Sequence, residues 1–389
     1  MSQRLSAALV FTPLILASPA AQAAKPPATA PARGALEAGR SAATRALRRY
    51  LKRQLKTQSS ATLRGERRLD TVAADNSDAL AEVGGQVPSG ALSYLRFALY
   101  KRAVHDAVLR AVVLRYRKGQ LPALPAALRR EAASGRFTHL GLGLAPLGDQ
   151  WIATVVLLRR SVELSRLRHR RAFTRLCGRV ALGRAPKVLL TDPSGQVSRR
   201  GLTLRRRRFC VWLPTRQKGR YQLEVMVQGR YGPEVAALFP LYIGVPAPLR
   251  PRERLYPQAA KQTALAEREL LRLVNASRSA AKLRPLSLAP RLARVARSHS
   301  QDMAKGGFFG HVSPRHGGLQ RRLAAAGLSH LAASENLALA TSARRAHDSL
   351  LDSPSHRAVL LDPQLRAAGI GVVRGRGGLL YITECFLHR

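Results

Sequence analysis

The sequence predicts an α+β multidomain chain, and three observations carry that reading. Its 389 residues allow two or three domains of roughly 100–200 residues, each large enough to bury a core. The apolar pattern changes from helical spacing to short strand-like runs, then returns to helical spacing from Thr263. Between the last two regimes lies a Pro- and Arg-rich stretch, VPAPLRPRERLYPQ, with the composition of a connector. Hydrophobic residues at 46% and charged residues at 23% are close to the globular norm, which excludes a chain disordered throughout and a multi-span membrane protein. The anomaly is the sign of the charge: 66 Lys and Arg against 22 Asp and Glu give a formal +44. An anionic partner and a coding bias toward Arg, Ala and Leu both account for it.

Taken in order, Met1 and Arg4 precede an apolar run from Leu5 to Ala17, and Ala21-Gln22-Ala23 has the small-x-small form of a signal-peptidase site. Residues 1–23 therefore read as a signal peptide cleaved after Ala23, which predicts a secreted or periplasmic protein. The run is shorter than the roughly 20 residues a bilayer span needs, so no transmembrane span is expected in the mature chain. Residues 24–35, rich in Pro and Ala, read as a flexible leader.

Residues 36–163 read as an N-terminal α+β domain. Leu47, Leu51 and Leu55 recur at four-residue spacing among Arg and Lys, the pattern of a basic amphipathic helix. Residues 90–118 read as one strongly apolar core helix, and the runs 139–145 and 151–158, separated by Gly148-Asp149, as a hairpin. Over 164–246 short β-rich runs alternate with turn signals such as Asp192-Pro193-Ser194-Gly195, which predicts a small β-sandwich. Cys177 and Cys210 flank this region and could pair in an oxidising compartment, leaving Cys385 buried in a strand. Residues 247–262 are the Pro/Arg-rich linker. In 263–389 two helices flank Pro285, the second running through Met303. A glycine-rich loop around His311 follows, then a helix over 319–326 stopped by Gly327, and a loop carrying Ser334 to Leu337.

Eight short motifs stand in order in this last domain: Leu273-Val274-Asn275-x-x-Arg278, Leu283-x-Pro285-Leu286, His299-Ser300-x-Asp302-Met303, Phe309-Gly310-His311-x-Ser313-Pro314, Glu335-Asn336-Leu337, Ser353-Pro354-x-His356-Arg357, Gly369-Ile370-Gly371-Val372 and Tyr381-x-Thr383-x-x-Phe386. Together they resemble the CAP superfamily (SCP or PR-1-like) in its compact bacterial form. The resemblance implies an α-β-α sandwich around an antiparallel sheet, with His311, Glu335 and His356 converging in one cleft. Two imidazoles with a neighbouring carboxylate suit a divalent ion, zinc being the expected one, or an acid/base pair in its absence. Longer family members carry a second glutamate after a tryptophan; here Leu350 replaces the tryptophan, and Asp348 or Asp352 is the available fourth member. Asn336, Ser313 and Arg357 are read as supporting residues, Asn336 through backbone hydrogen bonds. Glu384 stands where Gln is common. His299 and Asp302, three apart on a helix, are expected to satisfy each other, while His316, His330, His347 and His388 read as surface residues.

An internal echo links the halves: His139-Leu140-Gly141-Leu142-Gly143 before Thr154 resembles the Gly369-Ile370-Gly371 run before Thr383. A degenerate CAP-like copy over 36–163 and a generic hairpin both explain it. The function that leads is an exported binding protein, with a metal-capable His/Glu cleft or a lipid-holding groove, taking a small ligand or lipid. The alternative is a metal-dependent hydrolase of peptide or cell-wall material using Glu335, although HExxH and GxSxG are absent. Nucleic-acid binding rests on charge alone and is not expected beyond a secretion signal. Within 263–389 there are 19 Lys and Arg against 8 Asp and Glu, so most of the excess lies outside the candidate cleft, suited to anionic envelope polymers or lipid headgroups.

Overall fold

The structure is a computed structural model describing residues 5–10, 15–17, 33–55, 63–87, 91–125, 128–129, 136–251, 262–328, 332–375 and 378–388. Most of the stretches expected to be leader (24–35) and linker (247–262) therefore lies outside the described residues. Within the expected signal peptide, β1 (Leu5–Val10) and β2 (Ile15–Ala17) are extended. No helix among the described residues is long and apolar enough to cross a membrane.

The N-terminal unit runs α1 (Arg33–Gln54), β3 (Arg64–Gly65), α2 (Arg67–Glu82), α3 (Ala91–Lys101), β4 (Val108–Arg117), β5 (His139–Leu147) and β6 (Gln150–Arg159). Its sheet has the order β2-β4-β6-β5-β3. The leucine stripe of α1 is buried against one face with Val112 and Leu114, and α2 and α3 cover the other with Leu109 and Ala111. The single helix expected over 90–118 is thus corrected: it ends at Lys101, and 108–117 is a strand. A strand covered on both faces loses its period-two alternation, so its apolar run resembles a buried helix.

The middle region forms two sheets. β7 (Val162–Leu164), β8 (Arg168–Arg170), β9 (Phe173–Val180) and β12 (Arg208–Pro214) make one; β10 (Arg184–Thr191), β11 (Val197–Gly201), β13 (Gly219–Gly229) and β14 (Gly232–Ile243) belong to the other. Val162, Leu176 and Phe209 meet Val188, Leu223 and Phe239 in the core between them. Cys177 and Cys210, directly opposite on β9 and β12, form a disulfide, and Cys385 is free and buried.

The C-terminal unit runs α4 (Thr263–Ala280), β15 (Ser287–Leu288), α5 (Pro290–Gly306), α6 (Leu319–Ala325), β16 (Ala333–Ala340), α7 (Ala343–Asp352), α8 (Pro354–Leu360), β17 (Leu365–Arg374) and β18 (Leu380–His388). α4, α7 and α8 pack on one face of the sheet, α5 and α6 on the other. Residues 334–337, expected in a loop, lie within β16; their polar side chains are buried rather than solvated. β1 runs parallel to both β16 and β14, so one nine-stranded sheet joins the sandwich to the C-terminal unit.

The two outer units repeat one plan. Sheet order β4-β6-β5-β3 matches β16-β18-β17-β15 in sequence and direction, with α2 and α5 in equivalent places. A Cβ added at Gly143 would fall 2.0 Å from Ala74 N, and one at Gly371 would fall 2.1 Å from Arg297 N. In both units, then, a helix backbone rests directly on a glycine of the sheet. Ser77 Oγ donates to Gly143 O at 3.0 Å and lies 2.9 Å from Thr154 Oγ1. Ser300 Oγ makes the same pair of contacts, with Gly371 O at 2.9 Å and Thr383 Oγ1 at 2.8 Å.

Candidate functional site

His311 lies in the loop between α5 and α6, fixed from three sides. Ser313 Oγ donates to Asp302 Oδ2 at 2.5 Å and accepts the backbone N–H groups of Arg315 and His316, closing the turn. His299 Nε2 donates to Gly310 O at 3.0 Å. Val312 N donates to Tyr231 O at 3.0 Å, so the β13–β14 turn of the sandwich rests on this loop. Gly310 is what permits that approach, since a Cβ there would fall 2.5 Å from Tyr231 Cβ. His299 and Asp302 therefore do not satisfy each other as expected; each holds the 310–313 loop instead.

Glu335, on β16, is fully buried. Arg322 donates Nη1 to its Oε2 at 2.8 Å and Nη2 to its Oε1 at 3.0 Å, and Nη2 also reaches His311 O at 3.1 Å. Burial opposes the charge, yet the Arg322 guanidinium, helped by His299 and His311, holds this carboxyl well below the usual carboxylate range. An ionised carboxylate only accepts, so His311 Nδ1, 2.8 Å from Oε1, is the donor. His311 Nε2, which bears the lone pair when the ring is neutral, is buried without a hydrogen-bond partner.

His356 lies beside Asn336, the neighbour of Glu335 on β16. It sits in the first turn of α8, which Pro354 initiates. Asn336 Nδ2 donates to His356 O at 3.3 Å, the backbone role expected of Asn336. His356 Nδ1 is 2.6 Å from Ser353 Oγ, and Ser353 Oγ also donates in a very short hydrogen bond to Glu224 Oε2 of β13. With the Ser353 proton on Glu224, His356 Nδ1 donates to Ser353 and its Nε2 carries a lone pair; that atom too is buried without a partner. Burial, then repulsion from the His311 ring whenever that ring is protonated, lowers His356 well below the ordinary histidine value. Burial raises Glu224 to about 7 despite hydrogen bonds from Ser353 and Ser355, and raises Glu384 to about 8.

The structure thus gathers His311, Glu335 and His356 around β16, with Asn336 and Ser313 as supports. Arg357 turns away and donates from Nε to Gly195 O of the sandwich at 3.3 Å. Of the two aspartates expected as fourth member, Asp348 lies beside His347 and Asp352 lines a cavity against α3 and β14. The carboxylate that reaches the Ser353–His356 pair is Glu224, 129 residues before Ser353. His347 is a correction: read as a surface residue, it is buried, with Nε2 at 2.8 Å from Ser277 Oγ. His388 is likewise half-buried against Ser334; His316 is exposed and His330 lies outside the described residues.

Sequence reasoning missed Arg322 and Glu224. Arg322 had no distinguishing signal in Gln320-Arg321-Arg322. Glu224 did have one: it is the lone charge inside the apolar run Leu223 to Val227. Among the described residues no group of three or more His, Cys, Asp and Glu side chains is placed to hold a metal ion. Glu335 is committed to Arg322 and His311, so the residues around the two free imidazole nitrogens do not make a closed zinc site.

Residues 271–386 match the model of the CAP family, described as the cysteine-rich secretory protein family. Two curated relatives from Bacillus subtilis are similar to this chain. The uncharacterized protein YkwD is 32% identical over 108 residues, which is 28% of this chain and 42% of the relative. The uncharacterized membrane protein YlbC is 33% identical over 125 residues, 32% of this chain and 35% of the relative. The chain spans less than half the length of either. Among solved structures, an extracellular protein containing an SCP domain from Bacillus anthracis aligns at 20% identity and a TM-score of 0.30, over 58% of this chain and 68% of that one. A cysteine-rich secretory protein from Staphylococcus aureus aligns at 14% identity and a TM-score of 0.29, over 58% of this chain and 87% of that one.

Proposed function

We propose, starting from a chain whose residues 271–386 form a CAP domain, that it is an exported binding protein of the cell envelope or cell exterior whose ligand is held by His311 and His356. The observation that carries this is the pair of buried Nε2 atoms without partners. Buried polar atoms are normally satisfied, and each of these rings is oriented by a carboxylate on its other nitrogen, His311 directly and His356 through Ser353. In its neutral form each ring can accept a hydrogen bond from a hydroxyl or amide of a ligand. Both histidines are fully buried in the chain with β1 paired to β16.

The hydrolase reading is less well supported. In a serine triad the imidazole stands between serine and acid. Here Ser353 stands between Glu224 and His356, a relay position, and is itself buried. The N-terminal unit we read as a second, diverged copy of the CAP fold that serves as scaffold. The Arg-rich surface of the sandwich, including exposed Arg168, Arg170, Arg199 and Arg200, suits anionic envelope polymers.

Zinc chloride serves as a probe of the two lone pairs. Added zinc is expected to raise the melting temperature of the wild type and not that of His311→Gln/His356→Gln. An equal rise in both would sink the reading.

A further inference from the structure

The outward face of the smaller sandwich sheet gathers rings and guanidinium groups. Side chains alternate along a strand, and on β9 and β12 the inward set, Leu176, Val180, Phe209 and Leu213, fills the core. The outward set forms cross-strand rows. Phe173 stands between Arg170 and Pro214, Arg175 between Arg168 and Trp212, and Cys177 opposite Cys210. Trp212 is 48% exposed and Phe173 38%. Among the described residues they are the exposed Trp and the exposed Phe of the chain, and one face carries both.

Each ring has a cation beside it. The Arg175 guanidinium carbon lies 5.8 Å from the Trp212 ring centroid, and that of Arg216 lies 5.8 Å from the Phe173 centroid. The acid on this face is Glu163, which Arg179 holds through Nε at 3.1 Å and Nη2 at 3.0 Å. Arg168, Arg170 and Arg216 are exposed, and no carboxylate pairs with them among the described residues. The face therefore pairs apolar ring surface with uncompensated positive charge at neighbouring positions. A ligand complementary to it carries a flat apolar face and an anionic group on the same unit. A sugar ring bearing a carboxylate is such a unit: its C–H face lies on an aromatic ring while the carboxylate projects from its edge. A chain of phosphates has the charge without the ring, and a neutral glycan has the ring without the charge. The Cys177–Cys210 disulfide joins β9 and β12 on this same face, which suits an oxidising compartment, where polysaccharides and not nucleic acids are the abundant polyanions.

We propose that this face binds an acidic polysaccharide built of carboxylate-bearing sugar rings, with rings lying on Trp212 and Phe173 and their carboxylates on Arg168, Arg170 and Arg175. Guanidinium forks match carboxylates in pairs of parallel hydrogen bonds, and exposed Trp and Phe offer large rigid contact surfaces at little cost in conformational freedom. This assignment rests on the reading of the sandwich surface as one for anionic envelope polymers, and it gives that surface a place and a ligand chemistry. It is independent of the His311/His356 pair.

The probe is polygalacturonate, titrated calorimetrically into the full chain at about 0.15 M salt. Its methyl ester keeps the rings without the charge, polyphosphate keeps charge without rings, and poly(dT) represents single-stranded nucleic acid. Polygalacturonate is expected to bind about tenfold more tightly than each of the three. Trp212→Leu, at an exposed position, should weaken it about tenfold with the salt dependence unchanged. Arg168→Gln/Arg170→Gln should weaken it and flatten the salt dependence. Arg268→Gln/Arg272→Gln, exposed on α4, removes as many charges and should leave the titration as in the wild type; melting temperatures check that all three variants fold. Polyphosphate bound as tightly as polygalacturonate would overturn the proposal while leaving a general polyanion surface. Tighter binding of poly(dT) would reassign the face to nucleic acid. A loss in the α4 variant as large as in Arg168→Gln/Arg170→Gln, or no binding of polygalacturonate at all, would also overturn it.

Discussion

Replacing Glu224 with Gln tests the contact by which the sandwich reaches Ser353 and His356. Burial holds this carboxyl at about 7 instead of 4.5. A carboxyl raised on folding contributes stability that is fully present below its ordinary value and is lost as pH rises through its folded value. Between pH 4.5 and 8 the wild type should therefore lose up to about 3 kcal/mol through this one group, and Glu224→Gln should lose none of it. Glu384 and the buried histidines titrate in both proteins, so the difference between the two pH profiles isolates residue 224. Urea unfolding at pH 5, 6.5 and 8 measures it, fitted transition by transition because a chain of several domains need not unfold in one step. The substitution also makes a spectroscopic prediction. A Gln amide can donate to Ser353 Oγ, which then turns its own proton to His356 Nδ1 and moves the imidazole proton to Nε2. Nitrogen-15 spectra of His356 distinguish the two tautomers. A wild-type–variant difference that stays within about 0.5 kcal/mol across this range, with the tautomer unchanged, would refute the buried Glu224–Ser353–His356 chain.

Three further outcomes are expected. Arg322→Met strands the buried Glu335 carboxylate and should cost about 3–5 kcal/mol, most of it recovered in Arg322→Met/Glu335→Gln; simple additivity in the double-mutant cycle would deny the coupling. Gly143→Ala and Gly371→Ala each push a methyl into the backbone of the overlying helix and should cost about 3 kcal/mol, whereas Gly201→Ala, with nothing within 4 Å, should be near neutral; thermal melting of the three variants compares them directly. Replacing Cys177 and Cys210 with Ser opens a crosslink between residues 33 apart and should lower the stability of the sandwich by about 4 kcal/mol, an effect that a reductant should mimic in the wild type but not in the variant.

What was legible in the sequence was whatever local chemistry dictates. His311, Glu335 and His356 stand in short motifs that resemble those of the CAP family, and it was that resemblance that implied they would lie together; the structure puts His311 on Glu335 and His356 on Ser353. Leu47, Leu51 and Leu55 announced a helix because only one face of α1 is covered. The failures share a different physics. β4 and the polar start of β16 are enclosed on both sides, so neither periodicity nor polarity reports solvent exposure there. Arg322 and Glu224 act only through tertiary contacts, the first across a turn of the CAP domain and the second from β13 of the sandwich. His347 looked like a surface residue for the same reason: its partner, Ser277, is 70 residues away.

The comparison between the two outer units separates scaffold from site. Val113 stands opposite Thr154 as Leu337 stands opposite Thr383, which places Ala111 at the position of Glu335, Val112 at that of Asn336 and Val155 at that of Glu384. The residues that match across the units are Ser77 and Ser300, Gly143 and Gly371, Thr154 and Thr383. All of them seat a helix on a sheet, a need common to both units whatever they bind. The residues that differ are the buried charges and amides, each of which costs stability unless it is paired. The N-terminal unit fills those places with apolar side chains at 0% exposure, the stabler choice for a strand covered on both faces. That the C-terminal unit instead keeps Glu335, Asn336 and Glu384 buried, and recruits Glu224 from the sandwich to a neighbouring histidine, is what one expects if selection there has favoured a site over a core.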